Sequence, residues 1–233
     1  MNEIDLLYEK LDAISYPESM IKIAGGISRP AFFPGGKGTI DNNSKISDKT
    51  IMVLGQDFDT KKKYDQYLTE TLKDINKIAT WRNLNKLLEY YGINPYDCFF
   101  TNAFMGSRSN GKATGKSPGF KDPKFLHDCQ QFFLYQLEIQ KPFAILALGK
   151  YVAKFVSELS SDLNDWKKAN SIKEIDNMHK PVMKGVIFDN GIKTNIAIIL
   201  HPSFRNVNIH RRKYNNLIGQ QAEKEMIKSI LMK

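Results

Sequence analysis

The chain has 233 residues, 42% of them hydrophobic and 25% charged, enough for one α/β domain with a sizeable core and ordinary for a globular protein. No apolar run approaches the roughly 20 residues that span a bilayer, and the acidic, amphipathic start MNEIDLLYEK is unlike a secretory signal, so a cytoplasmic protein with no membrane partner is expected. Lys and Arg number 34 against 25 Asp and Glu, a net charge of +9 that suits phosphate-rich partners and is equally the mark of a lysine-rich proteome.

Apolar positions at Ile4, Leu6, Leu7 and Leu11 predict a helix over 2–13, which Pro17 ends. Residues 24–43 are rich in Gly and Pro and read as a long ordered loop, because Phe32 and Phe33 at its centre call for burial. No GK[ST] follows Gly35, Gly36 and Gly38, so this is not a phosphate-binding loop of the P-loop kind. Ile51–Leu54 is a continuous apolar run closed by Gly55, the pattern of a parallel strand buried on both faces. Residues 61–77 are polar with a partial apolar stripe. Thr80 is the expected N-cap of a helix that carries Trp81, Leu84, Leu87 and Leu88 and stops at Gly92.

A short strand at 98–101 ends in Asn102. Residues 106–119, GSRSNGKATGKSPG, read as a mobile basic loop without an apolar anchor, whose Arg108, Lys112 and Lys116 suit phosphate contacts or plain solvation alike. Asp122-Pro123 opens a helix to about Gln140, and FAILALG over 143–149 reads as a central strand followed by a helix at 150–159. Residues 160–180 give no clear pattern. Strands at 182–188 and 194–200 flank Asp189-Asn-Gly191, a hairpin signal, and a basic helix from about Arg211 to Met232 closes the chain. Cys98 and Cys129 lack CxxC spacing and read as small buried apolar residues. One domain is expected over 46–233, with residues 1–45 packed on it.

Three strands therefore end in chemistry: Gln56 and Asp57 after 51–54, Asn102 after 98–101, and His201 with Ser203 after 194–200. The carboxyl ends of parallel strands are where open α/β sheets bind ligands. Taken alone, Asp57 fits a capped turn as well as a site.

In their order and spacing these segments resemble the uracil-DNA glycosylase superfamily: GQD at Gly55–Asp57, FFTNA around Asn102, and HPS at His201–Ser203, with ILALG and its helix between them. The resemblance covers most of residues 48–230. It implies a three-layer α/β/α domain around a central, mainly parallel four-stranded sheet, acting on DNA as a monomer with no metal or cofactor. Asp57 would stabilise positive charge on the sugar and direct water, and His201 would stabilise the departing base. Gln56, Phe58 and Asn102 would bind that base. Ser203, Phe204 and Arg205 would join Arg108, Lys112 and Lys116 on the DNA, with Phe204 as the wedge in the stack. Phe58 and Phe104 are the candidates to stack on the flipped base.

Two departures stand out. The best-studied branch follows GQD with Pro-Tyr, whose tyrosine bars the thymine methyl, where this chain has Phe58 and Asp59. Other branches hold an iron–sulfur cluster on four cysteines, which two cysteines cannot supply. Two further readings stay open: a DNA- or nucleotide-binding protein that has lost base excision, and an enzyme cleaving free nucleosides.

Overall fold

The structure is a computed structural model, and it describes residues 2–23, 32–33, 45–71 and 77–232. The Gly/Pro-rich segment expected to be an ordered loop therefore lies outside the described residues except for Phe32 and Phe33. Helix α1 (Glu3–Asp12) starts at a capping box, with the Asn2 side chain accepting from the Asp5 N–H at 2.9 Å. It is followed by β1 (Met20–Lys22), then β2 (Ile51–Gly55), α2 (Lys61–Thr71) and α3 (Ala79–Tyr90). Next come β3 (Cys98–Asn102), β4 (Gly106–Arg108) and α4 (Pro123–Gln140), the last with Asp122 capping the Phe125 N–H at 2.7 Å. The chain continues through β5 (Ala144–Leu148), α5 (Lys150–Val156), α6 (Asn164–Lys168), α7 (Ile172–Asn177), β6 (Val182–Ile187) and β7 (Lys193–Ile199). It ends with α8 (Arg205–Asn208), β8 (Lys213–Tyr214), β9 (Leu217–Ile218) and α9 (Gly219–Leu231).

The central sheet runs β3-β2-β5-β7-β6, the first four strands parallel and β6 antiparallel to β7. It has five strands where four were expected, because the Asp189–Gly191 hairpin adds β6 to the same sheet as an edge. Successive side chains of the buried strands alternate between two cores with the pleat. Met52, Leu54, Phe99, Ile145, Ile196 and Ile198 face a core built with α1, α4 and α5. Ile51, Val53, Phe100, Leu146, Ala197 and Ile199 face a second core built with α3 and α9. Two apolar faces, each covered by helices, make the three-layer architecture.

Local departures have local causes. Helix α3 begins one residue before Thr80, after Ile78, so Thr80 is inside the helix and not its cap. The segment 160–180 is anchored by Trp166 and Ile175, both about 1% exposed. Residues 213–218, expected to be helical, form the β8–β9 hairpin. Its turn is Asn215-Asn216, at φ 47° and 62°, the left-handed pair that such a two-residue turn requires. Burial pushes both thiols, Cys98 and Cys129, up to about 12. No described helix is long and apolar enough to cross a membrane.

Candidate active site

The register of β2 and β3 pairs Gly55 with Asn102, and that of β5 and β7 pairs Leu148 with Ile199. The carboxyl ends of four neighbouring strands therefore present Asn102, Gln56 and Asp57, Gly149, and His201 along one rim. All of them line a single cleft of ≈ 830 Å³. Two glycines make the rim possible. A Cβ on Gly55 would stand 2.2 Å from Asn102 Oδ1, so only glycine lets that amide lie over the strand end. Gly149 sits at φ 92° beside the Cβ of His201, a conformation that a side chain would strain.

Asp57 is nearly inaccessible, its side chain 5% exposed. Its Oδ2 accepts from Arg108 Nε at 2.8 Å and its Oδ1 from the Asp59 N–H at 3.2 Å. Gln56 donates to the Gly115 carbonyl at 3.0 Å. Asn102 is 3% exposed, and no described residue hydrogen-bonds its side-chain amide, which leaves a donor and an acceptor for a ligand. His201 Nδ1 accepts from the Ser203 N–H at 3.3 Å, which fixes the neutral tautomer with its proton on Nε2. Burial lowers the His201 pKa, and the nearby Asp57 partly opposes this. The rim thus offers an anion, a neutral N–H donor and a free amide.

The HPS turn is held from α3: Thr80 and Ser203 hydroxyls lie 2.7 Å apart, and Asn83 donates to the Pro202 carbonyl at 3.1 Å. Phe204 stands out from the turn, 46% exposed. Lys112 and Lys116 are exposed on their loop. Phe58 lines the cleft and packs edge-on against Tyr64.

Three assignments made from the sequence change. Arg108 is not on a solvated loop but in β4, 4% exposed and turned inward onto Asp57, because β4 pairs with β1 and is anchored by that pairing in place of an apolar side chain. Arg205 is engaged by Glu223 at 2.6 Å and by the Tyr91 hydroxyl at 3.3 Å, which ties its guanidinium to α9 and the end of α3 and leaves it mostly buried. Phe104 is fully buried among Phe120, Phe125 and Phe155, so it cannot stack on a ligand.

Phe32 is an aromatic side chain of the cleft that the sequence reading did not assign. It lines the cleft against Gly55 and packs on Trp81 and Phe100 at 5.2 and 5.7 Å between ring centroids. Exposed Lys63, Lys150, Lys173 and Arg211 also line the cleft, and none forms an ion pair with a described carboxylate. The adjacent Phe32-Phe33 pair was the available signal for the first. Nothing in the sequence marks the four cations, since each comes from a different element.

A family model described as the uracil DNA glycosylase superfamily matches residues 43–222, more than three-quarters of the chain. The chain belongs to the uracil-DNA glycosylase superfamily. No curated protein matches it. Within the superfamily, the residues after GQD follow their own course here. Asp59 has φ 66°, a left-handed conformation that Asp tolerates and a tyrosine adopts only under strain, and its carboxylate accepts from the Thr60 N–H at 2.6 Å. Burial raises the Asp59 pKa, against the pull of the Thr60 N–H.

Proposed function

We propose that the protein is a DNA glycosylase that hydrolyses the N-glycosidic bond of uracil or a related damaged base, starting base-excision repair as a cytoplasmic monomer. The observation that carries this reading is the meeting of Asp57, Asn102 and His201 at one cleft. A flipped pyrimidine presents an O4 and N3–H edge, which an amide such as Asn102 can pair through one donor and one acceptor. As the C1′–N1 bond breaks, its electron pair leaves with the base. The Nε2–H of His201 stabilises the charge that gathers on O2. The sugar becomes cationic, and the Asp57 carboxylate stabilises it and directs water to C1′. Phe32 offers the stacking face and Phe204 the wedge that fills the vacated stack. Ser203, Lys112, Lys116 and the four cations at the mouth hold phosphates.

The test is release of free base from a uracil-containing oligonucleotide. Wild-type protein is expected to release it, and Asp57→Asn combined with His201→Ala to abolish release. A second reading, a DNA- or nucleotide-binding protein that has lost excision, draws on the Arg108 charge beside Asp57, which offsets the field a cationic sugar would feel. Tight, salt-sensitive DNA binding with no release from uracil, hypoxanthine or mismatched substrates would favour that reading and overturn the first.

A further inference from the structure

The buried guanidinium of Arg108 has no place in the chemistry just described, yet it pairs directly with Asp57. Arginine carries five N–H donors in a rigid plane, and four are used. Nε donates to Asp57 Oδ2 at 2.8 Å, Nη1 to the carbonyls of Lys112 at 2.7 Å and Thr114 at 3.0 Å, and Nη2 to the carbonyl of Gly115 at 3.0 Å. Its main-chain N–H donates to the Asp59 carbonyl at 2.7 Å, so the residue holds the 57–59 turn from two sides. Gln56, next to Asp57, ties to the same Gly115 carbonyl at 3.0 Å.

One buried cation therefore joins the carboxylate to the inner face of the loop 109–116, whose outer face carries the exposed Lys112 and Lys116. If the loop lifts, Gln56 loses its carbonyl acceptor and three N–H donors of the guanidinium that pairs with Asp57 are left unmet. Buried donors without acceptors are costly, so the guanidinium shifts with the loop and takes the carboxylate it holds with it.

We infer that Arg108 is a positioning residue that clasps the loop 109–116 to Asp57, so that seating of the loop on a DNA strand and aiming of the carboxylate are one event. This rests on the glycosylase reading for its catalytic part. The structural part, that the loop and Asp57 move together through Arg108, stands without it. Lysine at 108 would keep a cation near Asp57 but has no planar fork to hold three carbonyls.

Arg108→Gln and Arg108→Lys in the full chain separate these contributions. Single-turnover base release from a uracil oligonucleotide, affinity for the same oligonucleotide, and hydrogen exchange of the 109–116 amides are the readouts. Arg108→Gln is expected to slow release about 10- to 100-fold, to change affinity less than about 3-fold, a shift well under 1 kcal/mol, and to speed exchange in the loop. Arg108→Lys is expected to recover part of the rate with exchange still fast, and it carries the test alone if the Gln variant does not fold. Release at or above the wild-type rate in either variant, or exchange in the loop unchanged, overturns the inference. Should wild-type protein release no base at all, the glycosylase reading fails by itself. The exchange measurement, with a crystal structure of the variant, then decides the clasp: an unmoved Asp57 carboxylate and a protected loop would refute it.

Discussion

Burial and one hydrogen bond both favour the neutral form of His201. Its Nδ1 accepts the Ser203 N–H, so protonation must place a hydrogen where that donor already sits and push the HPS turn away. Burial lowers its pKa, so the folded protein binds fewer protons than the unfolded chain as pH falls. Stability tied to this residue is complete above the ordinary imidazole value of about 6.5 and is lost as pH drops through the lower folded value. Base release should follow the same direction, with kcat/KM flat near neutrality and an acid limb below about 6.5. An acid limb above that value would contradict the neutral-donor role.

Asp57, Asn102 and His201 were readable from the sequence because each lies within two residues of the end of a largely apolar strand, which fixes the rim they stand on. Arg108 and Arg205 were not. Composition reports that a residue is charged, and only the fold reports that Asp57 or Glu223 faces it.

At the level of elements, the base of the site depends on α9. Glu223 is fully buried and accepts from the Leu200 N–H at 3.2 Å, from Arg205 at 2.6 Å and from Arg212 at 3.3 Å. Arg212, 2% exposed, also pairs with Asp176 of α7 and donates to the Ile198 carbonyl at 2.9 Å. This network pins the end of β7 immediately before His201. Glu223→Ala leaves two arginines without their shared anion and should destabilise the protein by about 3–5 kcal/mol, read as a lower urea midpoint at constant slope. Loss of less than about 1 kcal/mol would mean that the network is solvated in solution. The strands over both cores were legible as apolar runs. The network was not, because its members lie far apart in sequence, and the hairpin before α9 was hidden by a basic run that also suits a helix. The Asn215-Asn216 pair was the signal to weigh there.

For the molecule as a whole, the +9 charge becomes informative once its placement is known. Of the three acids that line the cleft, Asp57 and Asp176 are paired with arginines and Asp59 accepts from the Thr60 N–H, while Lys63, Lys150, Lys173 and Arg211 form no ion pair with a described carboxylate. DNA affinity should therefore fall steeply with salt. Replacing the four cations with Gln should flatten the log–log slope by up to about 0.9 for each phosphate contact removed. An unchanged slope would move the DNA track elsewhere. The rim of neighbouring strand ends has a consequence for how activity arises in time. Its members are drawn from residue 55 to residue 201, so the centre consists almost wholly of long-range contacts, which form late in folding. A fragment lacking β7 also lacks the His201 that follows it and holds only the part of the rim that β2, β3 and β5 supply. The rim is complete only when the sheet closes on β7.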